Sequence, residues 1–444
     1  MKELNIYKKL KNSSLIFVTI AVFSYSFYPS AMLSIVLGLF LGLTIICNLQ
    51  NFNYKNITGK RALFFLSTSW VFCICISIIY SENKSYGLVI GQRYFNIIII
   101  ITTFLFFFPK EFLKHKSYIY LSFVISNVLF ALYIYYKAIL VIEQTCFPEI
   151  YYSGLSEKLS FVFNKPNHII LSCFEIEYHH SFLLHKVYNG MHYLFAILLS
   201  IEMLFEKKNI LRYLLLTPTI LLFICLILYQ FSVLNLFLLI VLVPSFVFIK
   251  LKASLKFVFR AISIWVFFGI IITQLYPGIS QNKIATSQIE PALNLVKKTL
   301  FGSQNKNIDE RFDINQANLH LIKEKPLFGY GIGDVQIELN RYYSSKIKTS
   351  GTFKTILDKE LNSHNNYAFL WLSGGILCVI LFFLGFGYFF YLSIRNQNWL
   401  FFFFLIIIFV NMLTENILSR INGILFFSLF TGLFLISSQQ SQPS

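Results

Sequence analysis

The chain has 444 residues, 56% of them hydrophobic and only 13% charged, with 51 Phe and 26 Tyr. A soluble domain draws about a quarter of its residues from Asp, Glu, Lys and Arg, so this composition excludes one and points to a polytopic membrane protein. The formal net charge of +17 does not signal nucleic acid, because the Lys and Arg residues fall in short clusters between apolar stretches, as in cytoplasmic loops.

A membrane-crossing helix needs about 20 apolar residues. Such stretches are centred near Val22, Leu39, Val71, Ile99, Leu129, Ala196, Leu221, Leu239, Phe267, Phe382, Ile407 and Leu429. The expected fold is all-α, with about 12 transmembrane helices. No cleavable signal peptide is expected, since the first apolar stretch is followed by others and lacks a small-residue cleavage site. With the N-terminus inside, the basic clusters at 2–11, 55–61, 110–116, 207–212 and 250–260, together with Arg395, all fall on the cytoplasmic side. The chain then divides into residues 1–276 with nine spans, a large external loop at 277–363, and residues 364–444 with the last three spans.

A first external loop, about 142–188, carries five glutamates together with His168, His179, His180 and His185. These histidines lack a helical ligand spacing with a third partner, and no H-E-x-x-H occurs, so neither a metal nor another cofactor is expected. Of the seven cysteines, Cys47, Cys73, Cys75, Cys225 and Cys378 sit in apolar stretches as small hydrophobes. Cys146 and Cys173 share the first external loop and could pair in an oxidising compartment.

In the large loop, residues 309–325 read as an amphipathic helix, with Phe312, Leu319 and Ile322 on one stripe and Arg311 and Asn315 on another. Pro326 ends it. Gly329, Gly331 and Gly333 then form a turn, and Asp334 caps a short helix through Tyr343. These glycines are not a nucleotide fingerprint, because no Lys-Ser/Thr follows and no βαβ unit is possible. A hinge between two helices and a close backbone approach to an anion both remain open.

His364 is the sharpest chemical candidate. Asn362 or Ser363 can cap the helix that continues through Tyr367 and Trp371, which puts His364 in its first turn. The helix dipole disfavours imidazolium there, and a neutral imidazole can take a proton from a hydroxyl. A histidine that merely satisfies the interface is the plain alternative. Arg311 comes second, because a guanidinium holds a diphosphate through paired, charge-assisted hydrogen bonds. Its plain alternative is an ion pair with Glu310 or Asp313. Arg341 is the next cation. Arg93, at the outer start of the fourth span, and Glu415 and Arg420, in the turn between the last two spans, lie near membrane depth. Such groups are either functional or snorkelling to the interface.

The run Arg311, Asn318, Pro326-Leu327-Phe328-Gly329-Tyr330-Gly331-Ile332-Gly333-Asp334, Tyr342, Ser363-His364-Asn365-Asn366-Tyr367 and Gly374-Gly375-Ile376 resembles the O-antigen ligase/polymerase superfamily. The stretch 414–420 is similar to that family's C-terminal pattern, and His185-Lys186-Val187-Tyr188 is similar to its His-Pro-x-Tyr entry to the sixth span. The resemblance implies a metal-independent, inverting glycosyltransferase in the bacterial inner membrane, with the large loop in the periplasm. The implied donor is a glycan on undecaprenyl diphosphate, and the implied acceptor is the lipid A core or another glycan. His364 would then be the base and Arg311 the diphosphate ligand. Arg341, Arg93, Asn365, Tyr188, His185, Glu415 and Arg420 would help to bind substrate. One departure stands out, since Ser232 is followed by Val233 where many members have arginine. Polymerase and protein-glycosylating activities of the same superfamily are alternatives, and a polysaccharide transporter is an alternative from another class.

Overall fold

The computed structural model describes residues 15–16, 18–23, 30–48, 55–108, 110–145, 186–206, 209–230, 232–252, 310–347 and 351–438. Their regular structure is helical throughout. The helices run α1 (Ser30–Asn48), α2 (Lys55–Ser77), α3 (Lys84–Thr102), α4 (Lys116–Thr145), α5 (Lys186–Glu206), α6 (Ile210–Gln230) and α7 (Val233–Leu251). After the start of the large loop come α8 (Glu310–Glu324), α9 (Val335–Lys346), α10 (Gly351–Asp358), α11 (Asn366–Arg395), α12 (Trp399–Asn411) and α13 (Ile421–Ser438).

Among the described residues, 7 helices are long and apolar enough to cross a membrane. They coincide with the stretches expected around Val71, Ile99, Leu129, Ala196, Leu221, Leu239 and Phe382. Shorter apolar helices cover Ile35–Ile46, Trp399–Asn411 and Ile421–Ser437, so the spans expected around Leu39, Ile407 and Leu429 are helical but short. The stretch around Phe267, the first half of the large loop, Cys146, Cys173 and His185 lie outside the described residues.

The chain forms two compact units, one of residues 1–122 with 306–444 and one of residues 123–305. In the second, α5 packs against α6 and α7. Tyr193 stacks on Phe223 at 5.3 Å, and Glu202 pairs with Lys250 at 2.5 Å. Ser232 stands at the N-cap of α7, and Asn235 one turn on donates through Nδ2 to Val187 O (3.1 Å).

The first unit is built on the pairing of α11 with α2. Small residues let helices approach closely in lipid, where apolar burial gives no net drive. A Cβ at Gly385 would stand 2.4 Å from Leu66 O, so glycine is needed at that contact. Aromatic rings fill the remaining space. Trp70 on α2 meets Phe382 on α11 edge-to-face at 5.2 Å and Tyr94 on α3 at 5.9 Å. Phe386 stacks on Phe427 of α13 at 5.5 Å.

Helices α8, α9 and α10 enclose a small core of Ile314, Ala317, Leu321, Tyr330, Val335, Leu339, Tyr343, Phe353 and Ile356, which Leu372 of α11 joins. The buried face of α8 is Asp313, Ile314, Ala317, Asn318 and Leu321. The expected stripe was therefore rotated, and Leu319 is 59% exposed. Two polar residues, Asp313 and Asn318, occupy inward positions that a count of apolar residues does not find.

The glycine turn between α8 and α9 is neither a free hinge nor an anion cradle. Ile332 N donates to Ser77 Oγ (3.1 Å) and Gly333 N to Ser81 Oγ (3.1 Å) at the end of α2. A Cβ at Gly331 would stand 2.3 Å from Ser81 Oγ, and one at Gly333 2.2 Å from Asn83 O. Asp334 stands at the N-cap position of α9 but makes no side-chain cap there. Its carboxylate instead accepts from Glu82 N (2.7 Å) and Asn83 N (2.9 Å), fixing the turn to the start of α3.

Candidate functional site

Three of the residues singled out from the sequence meet at one carboxylate. Glu415, 5% exposed, places Oε1 3.5 Å from His364 Nδ1 and 3.8 Å from Arg311 Nη2. The three come from separate places in the sequence, namely the start of α8, the segment before α11 and the turn after α12. The partner seen for Arg311 here is Glu415, on another element. Glu310 instead takes Lys359 at 2.9 Å.

The local backbone explains how His364 is held. Helix α11 begins at Asn366, and Asn365 is its cap, accepting from Tyr367 N (3.0 Å) and Ala368 N (3.1 Å) through Oδ1. His364 therefore precedes the cap instead of lying in the first turn, and Asn365 Oδ1 has a structural task as that cap. His364 has φ 41°, a left-handed conformation that is uncommon without glycine and costs about 1–3 kcal/mol.

The surroundings over-determine that conformation. His364 N donates to Asn362 Oδ1 (2.9 Å). Asn318 Nδ2 on α8 donates to Ser363 O (2.9 Å), and Asn416 Nδ2 donates to Ser363 Oγ (2.8 Å). Asn366 N donates to Met412 O (2.9 Å), while Asn366 Oδ1 accepts from Leu418 N (2.8 Å). The histidine segment is thus tied to α8 on one side and to the Glu415 turn on the other. Asn318, Ser363, Asn366 and Asn416 were not read as site residues from the sequence. Their sequence signal was their place in the motifs that carry the family resemblance.

The imidazole is 22% exposed and the guanidinium 51%, so both keep a face open while the carboxylate between them is closed. A carboxylate accepts only, so its favourable partner on the ring is an Nδ1–H. The opposite nitrogen, Nε2, is then a free acceptor. A buried carboxylate is costly unless cations or strong donors compensate it, and the cation facing this one is the Arg311 guanidinium at 3.8 Å.

The remaining expected residues distribute as follows. Arg93 stands mid-way along α3, deeper than the expected outer start of that span, and its Nη1 donates to Ser419 O (3.4 Å) in the same turn that carries Glu415. Arg420 is exposed and ends the short helical turn Ile417–Ser419. Arg341 pairs with Glu338 on its own helix (2.6 Å) at an exposed position and does not join the cluster. Tyr188 is buried within α5 of the second unit.

Compared with known families, residues 218–383 match the one described as O-Antigen ligase. The match supports the O-antigen ligase/polymerase superfamily. No curated protein matches the chain. The matched stretch contains Arg311, Arg341, the glycine turn and His364. Arg93 and Glu415 lie outside it in sequence and join it in space. Together with the apolar helices, the match supports a membrane protein of glycosyltransferase-like type, with polysaccharide or lipid-linked glycan as the substrate class.

Proposed function

We propose that the protein transfers a glycan from undecaprenyl diphosphate to an acceptor hydroxyl, without a metal and with inversion, at the periplasmic face of the bacterial inner membrane. The lipid A core is the proposed acceptor, which makes it an O-antigen ligase. The observation that carries this reading is the single buried Glu415 oxygen facing His364 Nδ1 and Arg311 Nη2 together.

In the proposed reaction, His364 Nε2 accepts the proton of the acceptor hydroxyl. The acceptor oxygen bonds to the anomeric carbon as the carbon–oxygen bond to the diphosphate breaks, and the electron pair leaves on the diphosphate. Arg311, half exposed, meets that charge with its guanidinium, and Arg93 supplies a second cation. No nucleotide motif is needed, because the lipid diphosphate is its own leaving group. Glu415 acts through the other two as a positioning residue. It fixes the ring with Nδ1–H inward and holds the guanidinium in register with it, so the groups need little rearrangement as charge develops.

The family spans more than one acceptor, and a deletion strain separates them. Polysaccharide gels of the strain should show free lipid A core with lipid-linked polymer accumulating. Core bearing a single repeat would instead make the protein a polymerase, and unchanged polysaccharide would remove the proposed function.

A further inference from the structure

The turn Pro326–Phe328 takes no part in the site described above, yet it carries the two most conspicuous apolar side chains of the loop region. Leu327 is 63% exposed and Phe328 72%. Their backbone, by contrast, is held tightly. Trp371 Nε1 donates to Pro326 O (2.9 Å), Tyr80 Oη donates to Phe328 O (2.6 Å), and Ile376 N donates to Pro326 O (3.0 Å). Burial pushes the Tyr80 phenol up to about 12, so it remains a donor at physiological pH.

The depth of this turn follows from α11. That helix has 30 residues, whereas about 20 cross the hydrocarbon. The residues before Gly375 are not part of one straight crossing, because they fold back beside the following segment, with Tyr367 stacked on Phe383 at 5.5 Å. The helix is interrupted at Gly375, with φ 70° and ψ −171°. A Cβ there would stand 1.9 Å from Leu327 O, so the turn is seated in the interruption itself. From Ile376 to Arg395 the helix has about 20 residues, the length of one crossing. Gly375 therefore marks the hydrocarbon boundary, and Leu327 and Phe328 project at that level. Tyr80 and Trp371, which bind the turn through their polar atoms, are the residue types that collect at such a boundary.

We infer that Leu327 and Phe328 insert into the headgroup–acyl boundary of the leaflet on the His364 side, anchoring the loop helices to the lipid. Specific backbone bonds fix the turn to α2 and α11, and the two side chains add apolar contact with lipid. The anchor fixes α8 relative to the lipid, and so the level at which Arg311 can meet a lipid-borne group.

The test uses the full chain in nanodiscs, with an environment-sensitive fluorescent amino acid placed by amber suppression at position 328 or, for comparison, at the exposed position 319 of α8. At 328, lipids brominated near the headgroup should quench the fluorescence, and aqueous iodide should quench it at least several-fold less than at 319. Iodide quenching at 328 equal to that at 319, or the absence of bromolipid quenching at 328, would overturn the inference. Neither readout depends on transferase activity.

Discussion

Helix α11 and the segment that leads into it are held by different chemistry. Below Gly375 the helix is packed by rings, with Trp70, Phe382, Phe386 and Phe427 in edge-to-face and stacked contacts. Before and at its first residue, asparagine and serine side chains make specific bonds to backbone and to one another. Aromatic packing is adaptable, because many weak contacts share the load. A bonded polar network is not, since removing one member leaves a buried partner unsatisfied. The site is built on the second kind of support, which suits a residue that must be kept in an unfavourable backbone conformation.

That contrast can be broken in a graded series. The largest effect is expected from His364→Ala, which should lower glycan transfer by about 10²–10⁴-fold while leaving membrane insertion intact, scored by acceptor-linked polymer on gels. Retained transfer would exclude His364 as the base. Glu415→Gln keeps the shape and removes the charge. It should cut kcat by roughly 10–100-fold with little change in donor KM, and it should add almost nothing to a His364 variant. A purely structural role would lower kcat equally in both backgrounds. Asn416→Ala removes both bonds between its amide and Ser363 Oγ, leaves that hydroxyl the longer bond to Asn365 O (3.3 Å), and should lower stability by about 1–3 kcal/mol, read as a shift in the thermal unfolding midpoint. Phe386→Leu, in the ring-packed region, should cost about 1 kcal/mol and keep transfer near normal. Arg341→Ala removes an exposed pair and should alter neither midpoint nor transfer measurably.

Much of this was legible in the chain. Apolar stretch length places the long membrane helices, because lipid admits few alternatives to a closed hydrogen-bonded helix. His364 and Glu415 stood out individually as ionisable groups beside apolar spans, and Arg311 as a cation of the polar loop. Their meeting was not legible, because it depends on the turn after α12 folding back against the start of α11. Nor was the face of α8, since Asp313 and Asn318 point inward. The part played by the glycines was hidden for a similar reason. Gly331, Gly333 and Gly375 are explained by atoms distant in sequence, at Ser81, Asn83 and Leu327, and no local pattern reports such a contact. Asp334 shows the same effect, having the sequence position of one helix cap while binding the amides at the start of another helix.

The most direct test is single-turnover transfer by His364→Asn with a purified polyprenyl-diphosphate glycan and a defined acceptor in nanodiscs. Asparagine tolerates the left-handed backbone at this position, so the substitution removes the imidazole while sparing the fold. The expected result is donor binding within a few-fold of the unaltered protein and a transfer rate lower by about 10²–10⁴-fold. Transfer at the unaltered rate would contradict the assignment of this histidine as the base and, with it, the role given to Glu415.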